Sequence, residues 1–229
     1  MDKKPQVAAT YDEMFQGGGF LGVFDLPYRR SPYFPLFRAV LAQVPKAAGV
    51  LEVGCGTGTF AHYLFDKRPG TPYVGFDFSE VAVEKARKRT GRSEPFFVGD
   101  ATKAASYQDL HYDTIVCTEV LEHLEDDKGV VRQWAAGTHC VCSVPNYDAD
   151  THVRHFRSED EVRERYAELI DIRAIRRLSK PFLNDLHWRG WLRALRWNRY
   201  RPDRLKWLLG FSDFDRDGGW FVFQGTRRA

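Results

Sequence analysis

The run Val50-Leu-Glu-Val-Gly-Cys-Gly-Thr-Gly-Thr-Phe60 constrains this chain more than any other segment. A short apolar stretch meets three glycines at alternate positions and passes into a helix-compatible sequence, which specifies a buried strand turning sharply into a helix. Glycines at such a turn let the backbone approach a ligand where a Cβ would collide. The helix behind them aims free N–H groups and the positive end of its dipole at the same spot, which suits a carboxylate or a phosphate. A dinucleotide fingerprint, G-x-G-x-x-G, needs its third glycine at position 59, where this chain has Thr59. The spacing is instead G-x-G-x-G, with Glu52 two residues before the first glycine.

Further landmarks follow in order. Tyr73-Val-Gly-Phe-Asp77 reads as a second strand, with Asp77 about twenty residues past the turn, where a nucleotide-binding α/β unit places an acid for ribose hydroxyls. Ser79 caps the next helix, and Pro95–Val98 forms a third strand ending in Gly99-Asp100-Ala101. Tyr112–Thr118 forms a fourth strand running into Glu119-Val-Leu-Glu-His-Leu-Glu125, and Thr138–Val144 forms a fifth ending in Pro145-Asn146.

Glu-x-Gly-x-Gly-x-Gly and its companions, each at the C-terminal end of a strand, resemble the class I S-adenosylmethionine (SAM) methyltransferases. Within that superfamily the resemblance is to the broad group that includes the ubiquinone-biosynthesis O-methyltransferases. It implies an α/β, Rossmann-like seven-stranded sheet of order 3-2-1-4-5-7-6, its last strand antiparallel, with helices on both faces. It also implies that Gly54, Gly56 and Gly58 cradle the methionyl end of SAM with Glu52 nearby, Asp77 and Phe78 flank the ribose, and Asp100 and Ala101 hold the adenine. Glu119 would lie near the sulfonium, and Tyr11 would close over the cofactor from the N-terminal leader.

The chain has 229 residues, enough to bury a sheet core as one domain, with 43% hydrophobic and 28% charged residues. No run approaches the roughly twenty apolar residues of a membrane span, and Met1-Asp-Lys-Lys-Pro5 lacks the apolar core of a secretory signal. Cys117, Cys140 and Cys142 fall in predicted strands and Cys55 in the glycine turn, so reduced thiols and a cytoplasmic location are expected. Residues 1–48 read as a leader with helices over Val7–Phe15 and Tyr33–Val44, and residues 49–229 as the SAM-binding domain. A capping box at Ser158–Glu161 opens a helix, Ile170–Leu178 reads as a sixth strand and Trp220–Gln224 as a seventh. Between them, residues 180–219 form an insertion rich in tryptophan and arginine. It reads as a helical cap that recognises the acceptor, and a net charge of only +3 argues against a dedicated nucleic-acid binder.

The chemistry asks little of the protein. A sulfonium is already an activated methyl donor, so the enzyme's task is to hold acceptor, methyl carbon and sulfur in line. A base helps where the acceptor must lose a proton, and His123, His152 and His155 are the candidates. The acceptor read from this pattern is a small molecule methylated on oxygen or nitrogen, S-adenosylhomocysteine is the product, and no metal is assigned. One alternative is set by Glu119-x-x-Glu122-His123 with His155 or His152, which resembles the metal site of the small-RNA 3′-terminal ribose 2′-O-methyltransferases. The loop after Pro145-Asn146 is shorter than in that family and lacks its paired histidines. Another alternative is a SAM-binding protein without turnover, which product formation would separate from an enzyme.

Overall fold

The computed structural model describes residues 8–17, 22–180, 196 and 213–229. Seven strands form one sheet: β1 Val50–Val53, β2 Tyr73–Asp77, β3 Phe96–Val98, β4 Thr114–Thr118, β5 His139–Pro145, β6 Ile170–Ser179 and β7 Gly219–Arg227. Their order is β3-β2-β1-β4-β5-β7-β6, as the family resemblance implies. The first five strands run parallel, and β7 lies antiparallel between β5 and β6. The strands exceed their expected spans mostly at the C-terminal hairpin. There β7 continues to Arg227 because its backbone pairs with both β5 and β6.

Alternation along the strands divides the core in two. Val50, Val116, Val141 and Val222 face one side and pack with α2 (Phe34–Leu41), α3 (Thr59–Lys67) and α4 (Glu80–Thr90). Leu51, Val53, Ile115, Cys117, Cys140, Cys142 and Phe223 face the other, against α5 (Asp127–Gln133) and α6 (Glu159–Tyr166). Strands buried on both faces are what a parallel sheet with helical crossovers requires. The four cysteines are buried and free.

Local sequence sets the helix starts. Ser79 Oγ accepts from Ala82 N–H at 3.1 Å, and Ser158 Oγ accepts from Glu161 N–H at 3.2 Å. The capping box is displaced by one residue, because Glu161 Oε2 accepts from Arg157 N–H at 2.7 Å rather than from the cap's own N–H. The leader helix α1 spans Ala8–Gln16, and a single 3-10 turn covers Tyr28–Arg30. Most of the 180–219 insertion lies outside the described residues, with the short helix α7 (Phe214–Asp217) at its end.

Candidate active site

The C-terminal ends of β1, β2, β3, β4 and β5 share one edge of the parallel sheet, and the glycine turn, Asp77, Asp100 and Glu119 lie there. After β1, Gly54, Gly56 and Gly58 have φ of 72°, 50° and 71°. At Gly58 an added Cβ would come within 2.8 Å of Ala86 Cα, so the third glycine lets α3 pack on α4. At Gly56 an added Cβ would meet nothing within 4 Å, which leaves a backbone cradle open to a ligand. Asp77 closes that cradle: its Oδ2 accepts from Gly56 N–H at 2.9 Å and its Oδ1 from Ser79 N–H at 3.0 Å. Burial raises its pKa to about 6, opposed by those two N–H groups. Each oxygen keeps a lone pair for a ribose hydroxyl.

Glu52 is buried beneath the turn rather than exposed within it, and Tyr73 Oη donates to its Oε2 at 2.5 Å. Burial pushes its carboxyl up to about 8, against the lowering effect of the Tyr73 hydrogen bond. Asp100 is exposed after β3, with Oδ1 accepting from Thr102 N–H at 2.8 Å and Thr102 Oγ1 at 2.7 Å. The carbonyl of Ala101 accepts from Tyr107 Oη at 2.9 Å. These bonds fix the loop that the resemblance assigns to adenine. Tyr11, on α1, stacks edge-on against Phe78 at 5.0 Å and places its hydroxyl 3.4 Å from His123 Nδ1. One leader side chain therefore touches both Phe78 and the candidate catalytic histidine. The leader is tied down by Lys85 Nζ, which donates to Phe15 O at 2.6 Å and pairs with Asp25 at 2.8 Å.

After β4 the chain turns through Glu119 in the left-handed region, at φ 58°, a conformation that costs a non-glycine residue energy and concentrates at functional sites. Ser143 Oγ on β5 holds the turn, accepting from Glu119 N–H and donating to Glu119 Oε1, both at 3.2 Å. Tyr147 Oη donates to Glu119 Oε2 at 3.4 Å, and burial raises the Glu119 pKa to about 7. A 3-10 turn, Leu121–His123, follows. His123 Nδ1 lies 2.9 Å from the carbonyl of Thr151, and burial lowers the His123 pKa to about 4, opposed by that hydrogen bond. The ring is neutral at physiological pH, a lone-pair donor rather than an acid.

His152 is buried with its ring centroid 5.0 Å from that of His123. His155 faces away, with Nδ1 3.9 Å from Asp148 Oδ1, in a surface groove shared with Glu161 and Arg165. Of the three candidate histidines, the structure thus joins His123 and His152 and leaves His155 apart. Sequence reading missed Arg154, which clamps the two loops. Its guanidinium donates to the carbonyls of Leu121 (2.8 Å), Leu124 and Glu125 (2.9 Å), while Val153 N–H donates to Glu122 O at 2.8 Å. Buried Asp127 backs the clamp, 3.5 Å from Arg154 and bonded to Arg165 and Tyr166. No motif marks such a residue, since its partners are backbone carbonyls more than twenty-five positions away.

A family model described as a methyltransferase domain matches residues 27–215. The chain belongs to this methyltransferase family. Its relatives include trans-aconitate 2-methyltransferase of Mycolicibacterium gilvum (strain PYR-GCK), 30% identical over 55% of this chain and 48% of that protein. The ubiquinone biosynthesis O-methyltransferase of Yersinia pestis (strain Pestoides F) is 34% identical over 38% of this chain and 36% of its own length. This methyltransferase-family chain thus spans less than half the length of either. Among solved structures, a putative methyltransferase in complex with the Haloferax volcanii Trm112 methyltransferase activator superposes with a TM-score of 0.64 at 18% identity, covering 96% of this chain and 98% of that one. The N-methyltransferase NodS from Bradyrhizobium japonicum WM9, in complex with S-adenosylhomocysteine, gives 0.53 at 19% identity over 86% and 88%. These likenesses establish the class I methyltransferase fold.

Proposed function

We propose that this chain methylates an oxygen or nitrogen of a small-molecule acceptor, using SAM. The observation that carries the reading is the open Gly56 cradle closed by Asp77, whose neighbour Phe78 meets Tyr11 of the Tyr11–His123–His152 group at 5.0 Å. When bound, SAM supplies an activated methyl group on its sulfonium. Gly54, Gly56 and Gly58 receive its methionyl end, Asp77 and Phe78 its ribose, Asp100 and Ala101 its adenine, and Tyr11 covers it. Glu119, His123 and His152 line the acceptor side, where the ring of neutral His123 can accept a hydrogen bond from an acceptor hydroxyl or amine and so orient it. Tyr33 and Trp220, 5.8 Å apart, and Tyr147, whose ring carries Lys180 Nζ at 4.2 Å, form an aromatic wall next to Glu119.

The names of both curated relatives specify small-molecule methylation, which supports a small acceptor. Four free, buried thiols fit a reducing, cytoplasmic setting. Among the described residues no helix is long and apolar enough to cross a membrane. Incubation with methyl-labelled SAM and a panel of phenols, carboxylic acids and amines tests the reading through S-adenosylhomocysteine release. Acceptor-dependent release supports it. SAM binding without release for any class would leave a SAM-binding protein, and failure to bind SAM would overturn the assignment.

A further inference from the structure

We infer that Lys180 anchors an anionic group, a carboxylate or a phosphate monoester, on the molecule that fills the acceptor side of the site. Only the name acceptor depends on the methyl-transfer reading; anion binding at this residue stands apart from it.

Backbone pairing brings Lys180 to the site. Leu178 pairs with Trp220 and Ser179 with Gly219 in the β6–β7 ladder, and Lys180 N–H donates to Gly218 O at 2.8 Å, which carries the ladder one residue further. Alternation then places Lys180 on the face of Leu178, beside Trp220. On the other side of β7, Pro145 pairs with Trp220. Tyr147 follows two residues later and packs on Gly218, where an added Cβ would come within 3.2 Å of it. Lys180 Nζ consequently lies 4.2 Å from the centroid of the Tyr147 ring. The same ring is centred 5.4 Å from that of His152, and its hydroxyl donates to Glu119 Oε2 at 3.4 Å. One side chain therefore separates the Lys180 ammonium from two groups of the acceptor side.

Lys180 is half-buried, and among the described residues its Nζ makes neither an ion pair nor a hydrogen bond. Burial lowers its pKa, opposed by Glu119, while the contact with the Tyr147 ring favours the charged form. Glu119 is not an ion-pair partner, because its oxygens accept from Ser143 Oγ and Tyr147 Oη. A partly desolvated ammonium without an anion is costly, and an anionic ligand would offset that cost with charge-assisted hydrogen bonds.

A second donor stands nearby. Trp220 is fully buried and its Nε1 lacks a partner of hydrogen-bond geometry, although a buried indole N–H usually finds one. Burial raises the pKa of Glu119 and of Tyr147, and the Trp220 N–H opposes both rises, which places it beside them. The carboxyls here do not repel an anion strongly. Burial raises Glu119 to about 7 and Glu122 well above the ordinary carboxyl range, so an arriving negative charge would be met by protonation. Tyr33 and Trp220, 5.8 Å apart, would flank the apolar body of the ligand. The acceptor class narrows to a small molecule with an apolar body and an oxyanion.

Calorimetric titration of the full chain, loaded with S-adenosylhomocysteine, with phenylacetate, phenyl phosphate and neutral phenylacetamide provides the test. At least one anion should bind about tenfold or more tightly than the amide, and the tighter of the two identifies a carboxylate or a phosphate group. Lys180→Met should erase that preference and Lys180→Arg should keep most of it, with S-adenosylhomocysteine affinity unchanged in both. No saturable binding of either anion, an amide bound as tightly as both, or a preference that survives in Lys180→Met would overturn the assignment. The wild-type comparison stands even where a variant does not fold. Repeating the titrations without S-adenosylhomocysteine separates the two readings: a chain that binds the anions but not S-adenosylhomocysteine would refute methyl transfer alone.

Discussion

The backbone N–H of Gly56 donates to Oδ2 of Asp77 at 2.9 Å, so the acid that ends β2 also braces the turn that follows β1. Its other oxygen accepts from Ser79 N–H at the start of α4. One carboxylate therefore organises two loops before any ligand arrives. Asp77→Ala should lower SAM affinity at least tenfold and destabilise the ligand-free protein by about 1–3 kcal/mol, the cost of leaving buried donors unpaired. Calorimetry and thermal unfolding without SAM measure the two effects. A variant that lost affinity at unchanged stability would show that the brace contributes nothing to the fold.

The two neighbouring glycines should respond differently to alanine. Gly58→Ala forces a Cβ onto Ala86 as well as a left-handed backbone, and should cost about 2–4 kcal/mol of stability. Gly56→Ala meets open space and should cost only about 1–2 kcal/mol for its backbone conformation. Its larger effect should be on SAM affinity, because the methyl group projects into the cradle. Comparing melting temperatures with SAM titrations separates packing from ligand approach.

Glu52 gives the fold a pH dependence of defined sign. Burial raises its pKa from 4.5 to about 8, so the folded state holds a proton that the unfolded state releases. Its contribution to stability is complete below about pH 4.5 and declines as pH rises toward 8. In Glu52→Gln this component of the decline should disappear. Urea midpoints for both proteins at pH 5 and pH 8, without SAM, measure it. Parallel pH profiles would mean that Glu52 is ionised in the fold.

His152 and His155 should part company in turnover. Once an acceptor is identified, His152→Ala should reduce kcat by about 100-fold or more, in line with loss of acid–base assistance. His155→Ala should stay within about twofold, since its ring lies by Asp148 at the surface. Equal losses in kcat for the two variants would remove the distinction drawn from the structure.

Much of the fold was legible because its determinants are local. Alternation, glycine spacing and cap residues are read within a few positions, and they placed every strand, with the family resemblance supplying the sheet order. The turn at Gly54–Gly58 and the acids Asp77 and Asp100 were legible for the same reason, since each lies at or just past the end of a strand. The acceptor side was less so. Its geometry depends on loops from β4 and β5 meeting across more than twenty-five residues of sequence.

By itself, the sequence determined the class I methyltransferase scaffold, the turn at Gly54–Gly58 and the positions of Asp77 and Asp100. Tertiary structure decided which of two histidines three positions apart turns inward. It directed Glu119 toward Ser143 and Tyr147, buried Glu52 against Tyr73, and bonded the Glu122 carbonyl to Val153 N–H. The reason is physical. Strand and turn propensities act along the chain, whereas the aim of a side chain in an irregular loop is set by what that loop packs against, here the carbonyls of the Leu121–Glu125 turn that Arg154 holds.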